Sequence, residues 1–232
     1  MKKITLIITG LIIFCSSYQL SGQEMQYLFQ GKDGKLNVSG FGAPIIEFSS
    51  VMDNFAVGVG GGGAVIFNQS FYIGGYGIGL STDHRVTLER YSPGKDGNEI
   101  LDNYRVNFGH GGFWLGYIHQ SYKAIHFGAS AKLGWGEVSL YQGGTYDHNY
   151  DYNSYAGDNC FVFIPQVEAE VNIAKWFKVN FGVGYRLVSG LDRTYQYQEP
   201  GTENLVEKQY YDSKDFNSFT GTISLLFGWF AQ

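Results

Sequence analysis

The sequence predicts an all-β protein that forms a single antiparallel transmembrane β-barrel of about eight strands. Three observations lead to this prediction. The chain begins like an exported protein, its predicted strands have one apolar and one polar face, and its connections alternate between short and long. These features are typical of a membrane barrel with both termini in the periplasm, which has tight turns at that end and longer loops outside.

Residues 1–22 have the composition of a secretory signal peptide. Two lysines precede an apolar run over residues 4–15, which is too short to cross a bilayer as a helix. We place the cleavage after Gly22, with cleavage after Ser17 as the alternative. Residues 23–232 are then the outer-membrane barrel domain.

The remaining chain has the charge of an acidic, exported protein. Loss of two lysines leaves 14 basic and 21 acidic residues, a formal charge of −7 that argues against nucleic acid as a partner. Only Cys160 remains, so no internal disulfide can form. A lipid anchor on Cys15 is disfavoured because the bulky Phe14 precedes it. The 33 glycines and four prolines fit neither a disordered tail nor an ordinary soluble enzyme.

Period-two alternation and turn residues predict eight strands. They cover residues 36–48, 54–67, 71–82, 103–119, 125–140, 159–173, 177–189 and 215–230. The connections between them are residues 49–53, 68–70, 83–102, 120–124, 141–158, 174–176 and 190–214. From the second connection onward, short and long connections alternate strictly, and only the first extracellular loop is short.

The last three predicted strands show the two faces most clearly. Over 177–189, aromatic and branched residues alternate with polar ones that include Lys178 and Arg186, and the strands at 159–173 and 215–230 follow the same pattern. We expect lipid on the apolar side and the lumen on the polar side. A closed barrel satisfies every backbone polar group within the bilayer.

Two places interrupt the pattern. Pro165 has no N–H to donate to the ladder, and the apolar phase changes between Phe108 and Phe113. We predict a β-bulge at each of them.

A glycine-rich stretch, residues 56–80, contains Gly58, Gly60 and Gly63 at the spacing of a dinucleotide-binding loop. Such a loop needs a helix directly after its last glycine, because the helix N-terminus binds the pyrophosphate. Here β-branched and aromatic residues follow instead, interrupted by a polar turn at 68–70. We therefore interpret the stretch as a hairpin of a narrow barrel, whose inward glycines leave room for large neighbours.

The chain resembles the small outer-membrane β-barrel proteins of Gram-negative bacteria, the OmpA/OmpX type, over nearly all of its mature length. The segments that carry the resemblance are "FGAPIIEFSS", "GGGGAVIFNQSFYIGGYGIG" and the ending "SFTGTISLLFGWF". The resemblance implies a location in the cell outer membrane, contact with its lipid, and folding by the barrel assembly machinery. That machinery reads a C-terminal aromatic residue in this family, a role open here to Trp229 and Phe230. The resemblance gives architecture rather than chemistry.

A soluble lipocalin-like barrel is the alternative fold. Its outer face would carry charge, whereas the polar faces here consist mainly of glycine, serine and threonine. For function, we expect a monomeric, non-enzymatic barrel with a largely closed lumen and an envelope or binding role. The alternatives are a small-solute porin and a barrel-embedded hydrolase that modifies lipids or peptides.

The histidines give the hydrolase little support. His126 and Ser130 share a strand face but lie about 13 Å apart, too far for direct proton transfer. Asp83–His84 and Asp147–His148 are neighbours in predicted loops, where their side chains need not converge. We expect no catalytic site.

A network of charged residues is predicted inside the barrel. Its members are Lys132, Glu168, Glu170, Lys178, Arg105 and Arg186. The first four lie in the lower half of neighbouring strands, and opposite charges there should pair because an unpaired buried charge is costly. The two arginines sit higher, where other lumen acids or loop groups would pair with them. Separate solvation of each charge by water is the alternative.

Tyrosines concentrate in the connections predicted at 141–158 and 190–214. They are Tyr146, Tyr150, Tyr152, Tyr155, Tyr195, Tyr197, Tyr210 and Tyr211. Tyrosine offers a large contact area at low entropic cost, so we predict that these loops bind an extracellular glycan, protein or lipopolysaccharide.

The connection predicted at 141–158 also contains a degenerate calcium-loop pattern. Its oxygen-bearing residues are Asp147, Asn149, Asp151, Asn153 and Asp158. Tyr152 stands where a calcium loop needs glycine for its sharp turn, and Asp158 is shorter than the usual bidentate glutamate. A solvated acidic loop without Ca²⁺ is therefore favoured.

Overall fold

Eight β-strands close into one antiparallel barrel, and three more strands extend it on the extracellular side. This computed structural model describes residues 36–94, 97–142 and 155–230, without the side chains of Gln142 and Tyr155. The strands are β1 (Val38–Val51), β2 (Asn54–Phe67), β3 (Phe71–Leu80), β4 (His84–Tyr91), β5 (Asn98–His119), β6 (Ile125–Gln142), β7 (Tyr155–Ala174), β8 (Phe177–Ser189), β9 (Thr194–Gln198), β10 (Leu205–Gln209) and β11 (Ser218–Trp229). The predicted signal peptide lies outside the described residues.

The barrel follows the order β3-β2-β1-β11-β8-β7-β6-β5, and pairing of β3 with β5 closes the ring. Among the described residues, β4 pairs with the N-terminal part of β5, and β9 pairs with β10 in a separate hairpin. The predicted eight-stranded transmembrane barrel is confirmed. The connections predicted at 83–102 and 190–214 contain strands. The first holds β4 and the start of β5, and the second holds β9 and β10.

The short connections are tight hairpin turns. Met52 and Asp53 join β1 to β2 with φ of 51° and 61°, and Asn68 and Gln69 join β2 to β3 with φ of 50° and 57°. Positive φ at both central residues is the type I′ geometry, whose twist matches that of the flanking strands. The short first extracellular loop is therefore as predicted.

The outer wall carries no charged side chain over a continuous band around the barrel. The uncharged outward-facing positions lie within residues 40–48, 57–65, 71–79, 109–117, 127–135, 161–171, 177–187 and 219–227. Nine residues of a tilted strand span roughly 20–25 Å, which matches the apolar band of a membrane barrel. The soluble alternative is wrong, because this wall would expose apolar surface to water. No helix in the described part of the chain is long and apolar enough to cross a bilayer.

The inside of the barrel contains two apolar clusters with polar residues between them. The lower cluster includes Phe41, Ile45 and Trp114, and the upper cluster includes Phe108 and Phe216. The described residues therefore fill both halves of the lumen with side chains, as expected for eight strands.

Inward glycines create the space for the large aromatic residues of the lower cluster. A Cβ on Gly62 would lie 3.2 Å from the ring of Trp114, and a Cβ on Gly116 would overlap the ring of Tyr72. The glycine-rich stretch forms β2, its turn and β3. The dinucleotide alternative is therefore wrong, since a strand follows Gly63 where a helix is required.

Neither predicted bulge is present. β5 keeps one register with β3 and β6 from Phe108 to Phe113, so Phe108 points inward and Phe113 outward. Pro165 pairs with Ala131 of β6, and the register between β7 and β8 is the same on both sides of it. Phe108 is an apolar side chain that faces the lumen rather than lipid, because it joins the upper apolar cluster.

Candidate functional site

The centre of the lumen is a polar layer built around Glu168 and Glu170 of β7. Strand alternation turns both residues inward, and both are buried. Ser130 Oγ donates to Glu168 Oε1 at 2.6 Å, while Tyr72 OH and Asn180 Nδ2 donate to Oε2 at 3.1 and 3.2 Å. Three uncharged donors from three other strands thus satisfy the Glu168 carboxylate.

Glu170 is held by two basic side chains. Lys178 Nζ donates to Glu170 Oε1 at 2.7 Å, and His126 Nε2 lies 2.9 Å from the same oxygen. His126 Nδ1 lies 3.0 Å from the carbonyl oxygen of Lys123. His126 therefore bridges the Glu170 carboxylate and the backbone of the turn before β6. Lys178 also contacts the ring of Phe230, with Nζ 4.2 Å from its centroid, at the periplasmic end of the lumen.

Lys132 is only 1% exposed, yet no carboxylate of the described residues forms an ion pair with it. Its Nζ donates to Gln166 Oε1 at 2.8 Å and lies 5.2 Å from the Trp114 ring centroid and 5.8 Å from that of Tyr76. Cation–π contacts of this kind stabilise a desolvated ammonium. The ion pair predicted for Lys132 is therefore replaced by an amide and two aromatic rings.

Arg186 of β8 connects the barrel wall to the segment that covers its extracellular end. Arg186 Nη1 donates to Glu47 Oε1 at 2.8 Å, and both side chains are buried. Arg186 Nη2 donates to the Ser50 carbonyl at 2.9 Å, and Nε donates to the Phe216 carbonyl at 2.8 Å. One guanidinium thus fixes β1, β8 and the segment before β11.

That segment is a 3-10 helix, Ser213–Phe216, which folds over the mouth of the barrel. Asp212 caps it by accepting from the Lys214 N–H, and the Phe216 side chain is fully buried, with its ring 5.1 Å from that of Phe108. We call residues 211–217 the lid. Tyr211 at its start is also buried, and its hydroxyl donates to the Ala156 carbonyl at 2.7 Å.

We expect the refolded protein to show no large, steady ion conductance in planar bilayers. The lid and upper cluster fill the extracellular half of the lumen, and Trp114, Phe41 and Tyr72 fill the lower half. Single-channel recording with a known open porin as positive control checks this. Steady ohmic channels from the wild-type protein would contradict the closed lumen.

Arg105 lies on the outer wall rather than in the lumen, so its predicted inward placement is wrong. The bulge predicted between Phe108 and Phe113 would have exchanged the inward and outward positions of all residues before it on that strand. Without the bulge, Arg105 points outward, next to Arg85 and with Nε 3.7 Å from Asp83 Oδ1.

The fourth extracellular connection presents an ordered aromatic hairpin. The rings of Tyr195 and Tyr210 lie 4.8 Å apart, and Lys208 Nζ lies 3.3 Å from the ring centroid of Tyr197. Burial raises the pKa of Tyr195. Tyr211 is buried in the lid and is not part of an exposed surface. Tyr146, Tyr150 and Tyr152 lie outside the described residues, as does the side chain of Tyr155.

The predicted calcium ligands do not come together within the described residues. Asp158 Oδ2 accepts from the backbone N–H groups of Asp192 and Arg193, each at 2.8 Å, which anchors the fourth connection. The described residues contain no metal-binding cluster of His, Cys, Asp or Glu side chains. The other four predicted ligands, Asp147, Asn149, Asp151 and Asn153, lie outside those residues.

The described histidines contact hydroxyl, carboxylate and backbone groups in separate parts of the structure. His110 Nδ1 lies 3.2 Å from Tyr76 OH, and His84 Nε2 lies 2.9 Å from Thr82 Oγ1. His126 contacts Glu170, whereas Ser130 bonds to Glu168. His148 lies outside the described residues.

Sequence reasoning missed Glu47 and the lid, including its buried Phe216. Glu47 could have been found, because a carboxylate in a membrane-spanning strand is expected to face the lumen rather than lipid. The lid had a weaker signal, a capping box formed by Asp212 and Asp215.

A closed eight-stranded barrel with an uncharged outer wall and a polar lumen layer defines an outer-membrane β-barrel protein. The fold implied by the resemblance is therefore confirmed, as is the location in the outer membrane.

Three solved structures are similar to this chain. Neisserial surface protein A (NspA) is 8% identical, with 84% of this chain and 97% of that chain covered and a TM-score of 0.46. CarO2 of Acinetobacter baumannii is 11% identical, with 83% and 100% covered and a TM-score of 0.29. OmpT, an outer membrane protein of Vibrio cholerae, is 10% identical, with 84% and 98% covered and a TM-score of 0.20. No family model and no curated protein matches the chain.

Proposed function

We propose that this protein is a non-enzymatic outer-membrane barrel whose extracellular hairpins bind a partner. The observation that carries the proposal is the joint placement of the β9–β10 hairpin against the hairpin of β4 and β5. Asn98 Nδ2 donates to the Gln198 carbonyl at 2.9 Å, and the Gln198 N–H donates to Asn98 Oδ1 at 2.8 Å. Two hydrogen bonds to backbone groups hold the tip of the aromatic hairpin in place.

The groove between these hairpins has the chemistry of a glycan site. Its volume is about 430 Å³, and its lining includes Glu89, Tyr197, Gln198 and Glu199. The aromatic ring can stack on the apolar face of a sugar. The carboxylate and amide groups beside it can form hydrogen bonds with the sugar hydroxyls. Pre-organised aromatic side chains lose little entropy on binding, which supports a recognition role. A protein partner and lipopolysaccharide are the other outcomes of the binding test.

The closed lumen supports this role over a porin, and the separate partners of His126 and Ser130 support it over a hydrolase built on that pair. For assembly, we propose Trp229 as the aromatic residue that the barrel assembly machinery reads, because it is exposed on the outer wall with Phe227. Phe230 points to the lumen side, near Lys178.

Removing the outer hairpin should abolish partner binding and leave the barrel folded. The Tyr210 N–H donates to the Arg193 carbonyl at 3.0 Å, so a two-residue turn can replace residues 194–209 without moving the lid. Residues 144–153 are removed in the same variant. Binding is measured for the labelled, refolded protein on a glycan array, on immobilised serum and matrix proteins, and on lipopolysaccharide vesicles.

Point variants sharpen this test. Tyr195→Ser with Tyr197→Ser should reduce binding at least about tenfold, because buried aromatic anchors dominate binding energies. Tyr122→Ser, in an exposed periplasmic turn, is the matched control. Heat-modifiable mobility on gels confirms folding of each variant. Unchanged binding by the shortened barrel would place recognition in the wall or lumen and refute the proposal.

A further inference from the structure

Two arginines lie side by side on the outer wall, above the uncharged band. Arg85 of β4 and Arg105 of β5 are direct cross-strand partners, with side chains 43% and 46% exposed. Like charges directly opposite each other destabilise an antiparallel pair. The mature chain as a whole is acidic, so two adjacent positive charges at this place require a physical explanation.

One carboxylate compensates the two cations only in part. Asp83 Oδ2 accepts from Arg85 Nε at 2.9 Å and from Nη2 at 2.7 Å, while Asp83 Oδ1 is 3.7 Å from Arg105 Nε. Arg85 Nη1 also donates to Asn103 Oδ1 at 2.7 Å. Arg85 is thus held in a fixed orientation, Arg105 keeps donors available, and these three groups together have a net charge of +1. The next exposed carboxylate, that of Asp102, accepts from Thr87 Oγ1 at 2.6 Å. The Arg85 hydrogen bonds hold the pKa of Asp83 below its usual range, so Asp83 is ionised at neutral pH.

The height of the pair on the barrel matches the lipid headgroups of the outer leaflet. On the outer face of β5, the polar Asn107 follows Gly109 toward the outside, and Arg105 is the first charged residue. Four residues of a tilted strand rise roughly 10 Å. Arg105 and Arg85 therefore lie just above the hydrocarbon, on the lipid-facing side of the wall.

We propose that Arg85 and Arg105 bind a phosphate group on the headgroup of an outer-leaflet lipid. Two adjacent guanidinium groups present several N–H donors toward one anion, and arginine matches phosphate geometry in bidentate fashion. Arg105 provides the available donors, and Arg85 is positioned by Asp83 and Asn103. This site is independent of the aromatic hairpin, so it stands whether or not the proposed extracellular partner exists.

The test compares lipid binding by full-length protein refolded into phosphatidylcholine nanodiscs. The probes are bisphosphorylated lipid A and lipid A with both phosphates removed, and bound lipid is quantified by native mass spectrometry. Wild-type protein should retain the phosphorylated form at least about tenfold better, as charge-assisted hydrogen bonds imply. Arg85→Gln with Arg105→Gln should remove that preference, and Lys123→Gln with Lys175→Gln, in periplasmic turns, should keep it.

Asp83→Asn gives a prediction of opposite sign. Removing the competing carboxylate should tighten binding of phosphorylated lipid A several-fold, whereas loss of a merely structural ion pair would leave it unchanged or weaker. Where the double arginine variant fails to fold, Arg105→Gln alone is used, because no hydrogen bond of its guanidinium holds the described structure together. Equal retention of the two lipid A forms would overturn the proposal. Displacement of lipid A by an equal concentration of inorganic phosphate would overturn the assignment to a lipid.

Discussion

Replacing Arg186 by leucine should lower the free energy of unfolding by about 3–5 kcal/mol, because it leaves a buried charge without its partner. Glu47 is 1% exposed, and its Oε2 has no hydrogen-bond partner in the described structure. The carboxylate therefore depends on Arg186 for compensation. Urea unfolding of the barrel in lipid vesicles, followed by tryptophan fluorescence, measures the loss.

Two control variants separate the buried pair from a general effect of losing arginine. Arg105→Leu removes an exposed guanidinium from the outer face of β5 and should change stability by less than about 1 kcal/mol. Glu47→Leu with Arg186→Leu removes both charges and should cost less than Arg186→Leu alone, since no uncompensated carboxylate remains. Equal losses for Arg186→Leu and Arg105→Leu would show that the pair does not stabilise the fold.

The same substitution should loosen the lid. Arg186 bonds to the carbonyl oxygens of Ser50 and Phe216, and these bonds join the lid to two barrel strands. Segments that open locally become accessible to protease before the rest of the structure. Trypsin should therefore cleave after Lys214 faster in Arg186→Leu than in the wild-type barrel, with the strands still intact.

The sequence was most informative where the chain crosses the membrane. There one side of each strand meets lipid and the other meets the lumen, so burial forces a period of two on the side chains. The faces of β7, β8 and β11 follow the predicted alternation, with Lys178, Glu168 and Thr220 inside. Outside the bilayer, water surrounds both faces, and β4, β9 and β10 lack that pattern.

The errors at Phe108, Arg105 and Tyr211 have a common physical origin, the apolar upper half of the lumen. A rule that places polar residues inside fails where Phe216 of the lid and Phe108 of β5 meet at 5.1 Å. Reading Phe108 as lipid-facing required a bulge, and that bulge in turn placed Arg105 in the lumen. Tyr211 was assigned to the exposed surface for a related reason, since nothing local shows that the segment folds back over the barrel.

Gly116→Ala tests why so many glycines face the lumen, and it should destabilise the barrel by about 1–3 kcal/mol, the usual cost of overpacking. A Cβ at this position would overlap the ring of Tyr72, which pairs across from it on β3. The Tyr72 ring has little freedom to move, because it packs edge-on against Phe41 and Trp114 and its hydroxyl donates to Glu168. A single methyl group therefore has to displace an aromatic cluster and a hydrogen bond together.

Gly77→Ala is the matched control, since Gly77 lies on the outer wall of β3 and a Cβ there would meet nothing within 4 Å. It should leave the free energy of unfolding within about 0.5 kcal/mol of the wild type. Tyr72→Leu in the Gly116→Ala background should recover part of the loss, because the smaller side chain vacates the space that the new methyl needs. If Gly116→Ala behaves like Gly77→Ala in urea unfolding, the inward glycines do not serve to accommodate aromatic neighbours, and strand curvature becomes the better reason for them.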